Sequence, residues 1–94
     1  MSLLIKEVSV MDASMELLLL ADPSEANIRA YLSGAKCFVA SCGADVVGAC
    51  VVQSRGTETY ELMNIAVYPA RQKFGYGMAL LEWSIDFFRD LGAR

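Results

Sequence analysis

The chain has 94 residues, 55% of them apolar and 20% charged, with a formal net charge of −3. That length allows one domain with a modest core, the apolar content argues against disorder, and the acidic balance argues against a general nucleic-acid binder. Three cysteines and no histidine leave a zinc site little to work with and rule out a Ser-His-Asp or Cys-His catalytic group within the chain.

Residues 3–8 read as a first strand. Its apolar start meets Lys6 and Glu7 at once, so it is no signal peptide. No stretch approaches the roughly 20 apolar residues of a membrane span, and a cytoplasmic protein without a membrane partner is expected. Asp12 is placed to cap a helix carrying Met15 and residues 17–20. The run Asp22-Pro23-Ser24-Glu25 is a second helix start: Asp22 as cap, Pro at the first helical position and Glu three residues after the cap. That helix runs through Ile28, Tyr31 and Leu32 and stops at Gly34. Residues 36–42 and 46–53 are β-rich and joined by Gly43-Ala44-Asp45, a hairpin signal. Cys37, Cys42 and Cys50, without a C-x-x-C pair, are expected to act as small apolar residues in a reducing compartment.

Arg55-Gly56-Thr57 marks another turn, residues 59–68 a longer strand ended by Pro69, and residues 78–91 a helix with Gly92 past its end. Glu82, Asp86, Arg89 and Asp90 share one face of that helix. Leu80, Leu81, Ser84, Ile85, Phe88 and Leu91 fill most of the remainder, and Trp83, Phe87 and Phe88 have the spacing of core residues. The order β-α-α-β-β-β-α is an α/β (α+β) arrangement in one domain over residues 1–94. Its three successive strands predict an antiparallel meander. The helix after them is expected to cross over toward a further parallel strand, for which no signal stands before Arg94.

The chemistry concentrates where the last strand meets the last helix, at Arg71-Gln72-Lys73-Phe74-Gly75-Tyr76-Gly77. Two glycines one residue apart let backbone approach a ligand closely. A helix entry leaves first-turn N–H groups without intrahelical partners, and Arg71 and Lys73 add positive charge beside them. A pyrophosphate suits such a cradle, although an isolated G-x-G is more often just a turn into a helix. The dinucleotide fingerprint fails because Leu80 stands where its third Gly belongs, and the G-K-[ST] ending of a P-loop is absent.

In this context the sequence resembles the GNAT superfamily of acetyl-CoA-dependent N-acetyltransferases. The match is to the acyl-CoA motif Gln/Arg-x-x-Gly-x-Gly/Ala, here Gln72, Gly75 and Gly77, preceded by Asn64-Ile65-Ala66-Val67-Tyr68-Pro69 as the central strand. The resemblance covers the N-terminal part of that fold and lacks its usual fifth strand, further helix and last strands. It implies that backbone amides of Gln72, Lys73, Phe74, Gly75, Tyr76, Gly77 and Met78 hold the pyrophosphate of acetyl-CoA. It also implies that main-chain groups of Ile65 and Val67 pair with the pantetheine arm, and that the Ile65 N–H faces the thioester oxygen. No metal is implied.

Glu61 shares a face, by strand parity, with Met63, Ile65 and Val67. An apolar face raises a carboxyl pKa toward the range of a general base, and the family often has a glutamate here. The competing reading is a solvated Glu61 paired with Arg55. Asn64 orients a water or the acceptor, or else stabilises the strand bulge common in the family. No position corresponds to the tyrosine that protonates the CoA thiolate in many relatives; neither Tyr68 nor Tyr76 is assigned that role. Cys50 as an acyl carrier is disfavoured. Asp22 and Glu25 are candidate lining for an acceptor groove, though both also serve as helix caps. The implied function is acetyl transfer from acetyl-CoA to a primary amine by direct attack in a ternary complex. The alternative is a truncated, non-catalytic acyl-CoA-binding or interaction module. An uncovered strand edge also invites completion of the sheet by a second copy.

Overall fold

The computed structural model describes residues 3–56 and 59–90. Strands β1 (Leu3–Val8), β2 (Lys36–Cys42), β3 (Asp45–Ser54) and β4 (Tyr60–Val67) form one sheet in the order β1-β2-β3-β4, each neighbour antiparallel. The expected meander is present and extends to the first strand. Gly43, at φ +61°, opens a two-residue loop between the paired residues Cys42 and Asp45. A positive φ at the first loop position suits the twist of the flanking strands.

The helices cover both faces. Helix α1 (Met15–Leu18) and helix α2 (Glu25–Leu32) lie on one side, and helix α3 (Tyr76–Asp90) on the other. Two helix caps differ from the sequence reading. Asp12 does not cap α1: it ends a 3-10 turn, Val10–Asp12, and Ser14 is the cap, its hydroxyl accepting from Leu17 N at 3.2 Å. Nor does Asp22 cap α2. Ser24 does, accepting from Asn27 N at 3.2 Å, while Asp22 Oδ1 accepts from Ser24 N at 3.0 Å and so fixes the capping residue. In both places the serine nearer the helix takes the free amide, because a cap must reach a donor only two or three residues ahead.

Two apolar layers result. The α1/α2 layer holds Leu17, Leu18, Ile28, Cys37, Val39, Ala49 and Val51. The α3 layer is aromatic: Phe38, fully buried, lies 5.0 Å from Trp83 and 5.1 Å from Phe87 between ring centroids, and Tyr60 stacks on Phe88 at 4.0 Å. Phe88 is therefore core, and Trp83 and Phe87, half-buried, pack against it. Helix α3 approaches the sheet so closely that a Cβ on Gly48 would lie 2.9 Å from Ala66 O and 3.0 Å from Leu80 Cδ1. Gly48 thus sets the depth at which α3 seats, and α3 in turn places the glycine loop beside β4.

Candidate functional site

Strand β4 is the edge of the sheet, and its hydrogen-bond phase decides which residues face outward. Tyr68 N donates to Val47 O at 3.0 Å. Antiparallel pairing alternates, so Ala66 and Asn64 also bond inward to β3, while Ile65 and Val67 turn their N–H and C=O groups to the open edge. One of these outward groups already has a partner: Gln72 Nε2 donates to Val67 O at 3.0 Å. The side chain of the motif glutamine thereby ties the loop to the strand edge.

Beyond β4 the chain forms a 3-10 helix, Pro69–Phe74, rather than an open loop. Amides within such a helix bond to carbonyls three residues back. Gly75, at φ +75°, ends it, and α3 begins at Tyr76, two residues earlier than the sequence predicts. Only glycine tolerates that left-handed backbone readily, so the break falls where it stands. The first helical bond recorded there is Ala79 N to Gly75 O at 3.1 Å. The amides of Tyr76, Gly77 and Met78 are accordingly the first-turn donors without intrahelical acceptors, at the positive end of a 15-residue helix. A Cβ on Gly77 would meet nothing closer than Val67 Cγ2 at 3.7 Å, an ordinary contact. Packing within the described residues thus leaves room for a side chain there.

These groups share one recess. A cavity of about 380 Å³ is lined by Ile65, Val67, Gln72, Gly77, Met78 and Leu81. It joins the strand edge to the helix entry, and five of its six lining residues are ones that the resemblance assigns to acetyl-CoA. Arg71 is partly neutralised by Asp45 at 3.2 Å, whereas Lys73 makes no ion pair among the described residues.

Glu61 lies elsewhere than strand parity predicts. Val51 pairs with Asn64 but Val52 pairs with Leu62, so Met63 is an extra residue in β4. A bulge of this kind turns the alternation over. Ile65 and Val67 belong to the α3 layer, whereas Met63 packs against the α1/α2 layer. Glu61 does not share the face of Ile65 and Val67, and it is not buried: its side chain is 53% exposed and accepts from Arg55 Nε at 2.8 Å. Arg55 also lies near Met63 Sδ, at 3.8 Å.

The bulge is tied down by Asn64, which is 4% exposed. Its Nδ2 donates to Leu18 O at 3.1 Å and to Tyr31 Oη at 2.8 Å, and Tyr31 in turn donates to Asp22 Oδ2 at 3.3 Å. Burial pushes the Tyr31 phenol above its usual range; the Asn64 bond opposes this and the Asp22 carboxylate adds to it. Asn64 Oδ1 is buried and has no hydrogen-bond partner among the described residues. Next to this chain a second cavity, about 510 Å³, is lined by Asp22, Asn27, Ala30, Tyr31, Gln53, Arg55 and Met63. Asp22 therefore does line a groove, while Glu25 is paired with Arg29 at 2.7 Å outside it. Read from sequence, Tyr31 is only a residue of the second helix and Gln53 only the end of a strand. The available signal was that a tyrosine on an apolar face needs a partner for its hydroxyl, and Asn64 is a polar residue within an apolar strand.

The remaining candidates take structural places. Cys50 and Cys37 are buried, and loss of solvation pushes their thiols up to about 12 and about 11. They remain protonated at neutral pH, which suits small apolar residues rather than nucleophiles. Tyr68 donates to Glu16 Oε1 at 3.4 Å, and Tyr76 Oη accepts from the Cys42 thiol at 3.2 Å. Among the described residues there is no group of three or more potential metal ligands, and no helix is long and apolar enough to cross a membrane. The expected turn at Thr57 and the helix end at Leu91 and Gly92 lie outside the described residues.

Comparison with known proteins agrees with this geometry. The acetyltransferase (GNAT) family model matches residues 8–94. An uncharacterized N-acetyltransferase of Bacillus subtilis (strain 168), YvbK, is 38% identical over 82 residues, covering 87% of this chain and 53% of the relative. Among solved structures, an IAA acetyltransferase from Bacillus cereus ATCC 14579 superposes with a TM-score of 0.91 at 35% identity. A GNAT family acetyltransferase from Elizabethkingia anophelis, solved with acetyl-CoA bound, superposes with a TM-score of 0.90 at 30% identity. These alignments cover 97% and 98% of this chain and 61% of each relative. The chain thus spans between half and two thirds of the length of the proteins it matches, and it belongs to the GNAT acetyltransferase family.

Proposed function

From that membership we propose that the chain binds acetyl-CoA along the open edge of β4 and the entry of α3, and supports acetyl transfer to a primary amine by direct attack in a ternary complex. The observation that carries this reading is the shared recess: Ile65 and Val67, with their outward main-chain groups, and Gly77 and Met78, with their free amides, border one cavity. The amides and the helix dipole suit a pyrophosphate, and a strand edge suits an amide-bearing pantetheine arm added as a further strand. Absence of a side chain at Gly77, which packing within the described residues does not require, leaves room for phosphate oxygens. Gln72, Lys73, Phe74 and Gly75 complete the loop: Gln72 by anchoring Val67 O, Lys73 by charge, and Gly75 by the break that frees the first turn.

In the transfer step the amine nitrogen attacks the thioester carbon, the carbon–sulfur bond breaks, and the CoA sulfur leaves as a thiolate that takes a proton. The Ile65 N–H, held rigidly by the β3–β4 ladder, would meet the negative charge developing on the carbonyl oxygen. Glu61 would accept the amine proton, directly or through water, once Arg55 releases it. The acceptor would enter from the α2 side through the cavity that Asp22, Tyr31 and Arg55 line. Calorimetry with CoA, together with thiol release from acetyl-CoA over a panel of primary amines, tests the reading. Glu61→Gln is expected to lower kcat roughly 10²–10⁴-fold with CoA affinity unchanged; unchanged turnover would remove Glu61 from the mechanism.

A second reading, an acyl-CoA-binding or interaction module without catalysis, is favoured by one observation. Glu61 is exposed, paired with Arg55 and on the other face from Ile65. CoA binding without turnover of any amine would select it.

A further inference from the structure

Phe74 is a large apolar side chain that is 63% exposed, placed last in the 3-10 helix before Gly75. It is not loose. Its ring stacks on Tyr76, with centroids 5.6 Å apart and planes inclined by 26°. Tyr76 is itself held, because its hydroxyl accepts a hydrogen bond at 3.2 Å from Cys42, which is 2% exposed at the end of β2. One face of Phe74 is thus backed by a tethered ring, and the ring as a whole remains largely open to solvent. The core does not require this arrangement, since neither buried cluster counts Phe74 among its members.

We infer that Phe74, backed by Tyr76, is the shelf on which the adenine ring of CoA stacks. This rests on the CoA-binding reading above and extends it to a part of the ligand which that reading leaves unplaced. The pantetheine arm is assigned to the cavity along Ile65 and Val67, and Phe74 does not line that cavity. In CoA the adenosine is joined to the arm through the pyrophosphate. A ligand with its phosphates on the amides of Tyr76, Gly77 and Met78 therefore carries its base past them, on the side away from the arm, and Phe74 lies on the loop just before those amides. Any base offers a flat π face, so stacking needs no hydrogen-bond partner, and Phe74 provides none. Lys73, next to the shelf and without an ion pair among the described residues, suits the 3′-phosphate on the ribose. Arg71, already held by Asp45, suits it less.

The test is calorimetric titration of the 94-residue chain with CoA, dephospho-CoA and 4′-phosphopantetheine, which lacks the adenosine. Phe74→Ala is expected to weaken CoA and dephospho-CoA binding by roughly five- to 150-fold, the range of base–aromatic stacking, and to leave 4′-phosphopantetheine unchanged. Phe74→Trp is expected to restore CoA affinity, and the thermal unfolding midpoint should not move in either variant. Lys73→Ala is expected to weaken CoA more than dephospho-CoA. Unchanged CoA affinity in Phe74→Ala would overturn the inference. So would an equal loss for 4′-phosphopantetheine, because Phe74 would then act on the shape of the loop. If the unsubstituted chain binds 4′-phosphopantetheine but gains nothing from the adenosine of CoA, the shelf fails while the phosphate cradle stands. If it binds none of the three ligands, the underlying reading fails first.

Discussion

The two faces of the sheet are built for different work. The α3 face is aromatic, with Phe38 fully buried against Trp83, Phe87 and Phe88. The α1/α2 face carries a buried polar chain from Asn64 through Tyr31 to Asp22, ending at a polar cavity. An apolar layer sets position by shape, so the α3 face can hold a helix N-terminus at a constant depth beside β4. A polar chain sets position by direction, and it fixes the β4 bulge to the loop between α1 and α2. Geometry on the α3 side thus depends on packing, and geometry on the α1/α2 side on a few hydrogen bonds.

That contrast can be broken by mutation. The largest effect is expected for Phe38→Ala, a cavity at the centre of the aromatic layer, at about 3–5 kcal/mol of stability by urea unfolding. A cost below about 1 kcal/mol would show that the α3 layer does not depend on shape. Asn64→Ala is expected to cost about 1–3 kcal/mol, from two lost hydrogen bonds. It should also raise amide exchange around Met63 while leaving α3 unaffected; equal exchange on both faces would contradict the separation.

Alkaline pH tests the thiols on both sides, Cys37 in the α1/α2 layer and Cys50 in the α3 layer. Their folded pKa values stand near 11 and 12, above the ordinary thiol value of 9.0. Below pH 9 both states hold these protons, so this contribution is flat. Above it the unfolded chain releases them first and stability falls, by up to about 1.4 kcal/mol per pH unit for each thiol, until the folded pKa is passed. Urea midpoints at pH 8 and pH 10 measure this, and Cys50→Ala is expected to flatten the slope by about half. The smallest stability effect is expected for Gly77→Val, within about 1 kcal/mol. Its CoA affinity should nevertheless fall at least about tenfold, which would separate the cradle from the fold; unchanged affinity would place the phosphates elsewhere.

Much of this was legible along the chain. Residues 3–8 and 36–42 match β1 and β2 at both ends, and Gln72 and Gly77 of the motif line one cavity with Ile65 and Val67 of β4. These are local features: apolar and β-branched runs, a glycine that accepts positive φ, a proline that ends a strand. The caps were legible only to within two residues, because Asp12 and Ser14, like Asp22 and Ser24, are competing caps and the amide within reach decides between them.

What the sequence by itself determined is the order of elements, the apolar layers and the glycine-marked entry to α3, since each follows from periodicity and backbone preference over a few residues. Tertiary structure alone decided where Glu61 and Asn64 face. A single extra residue at Met63 leaves little trace in composition or alternation, yet it moves every side chain before it to the other face of the strand. That residue is accommodated because Asn64 finds partners 46 and 33 positions away, at Leu18 and Tyr31, and contacts at such separations exist only after the layers have packed.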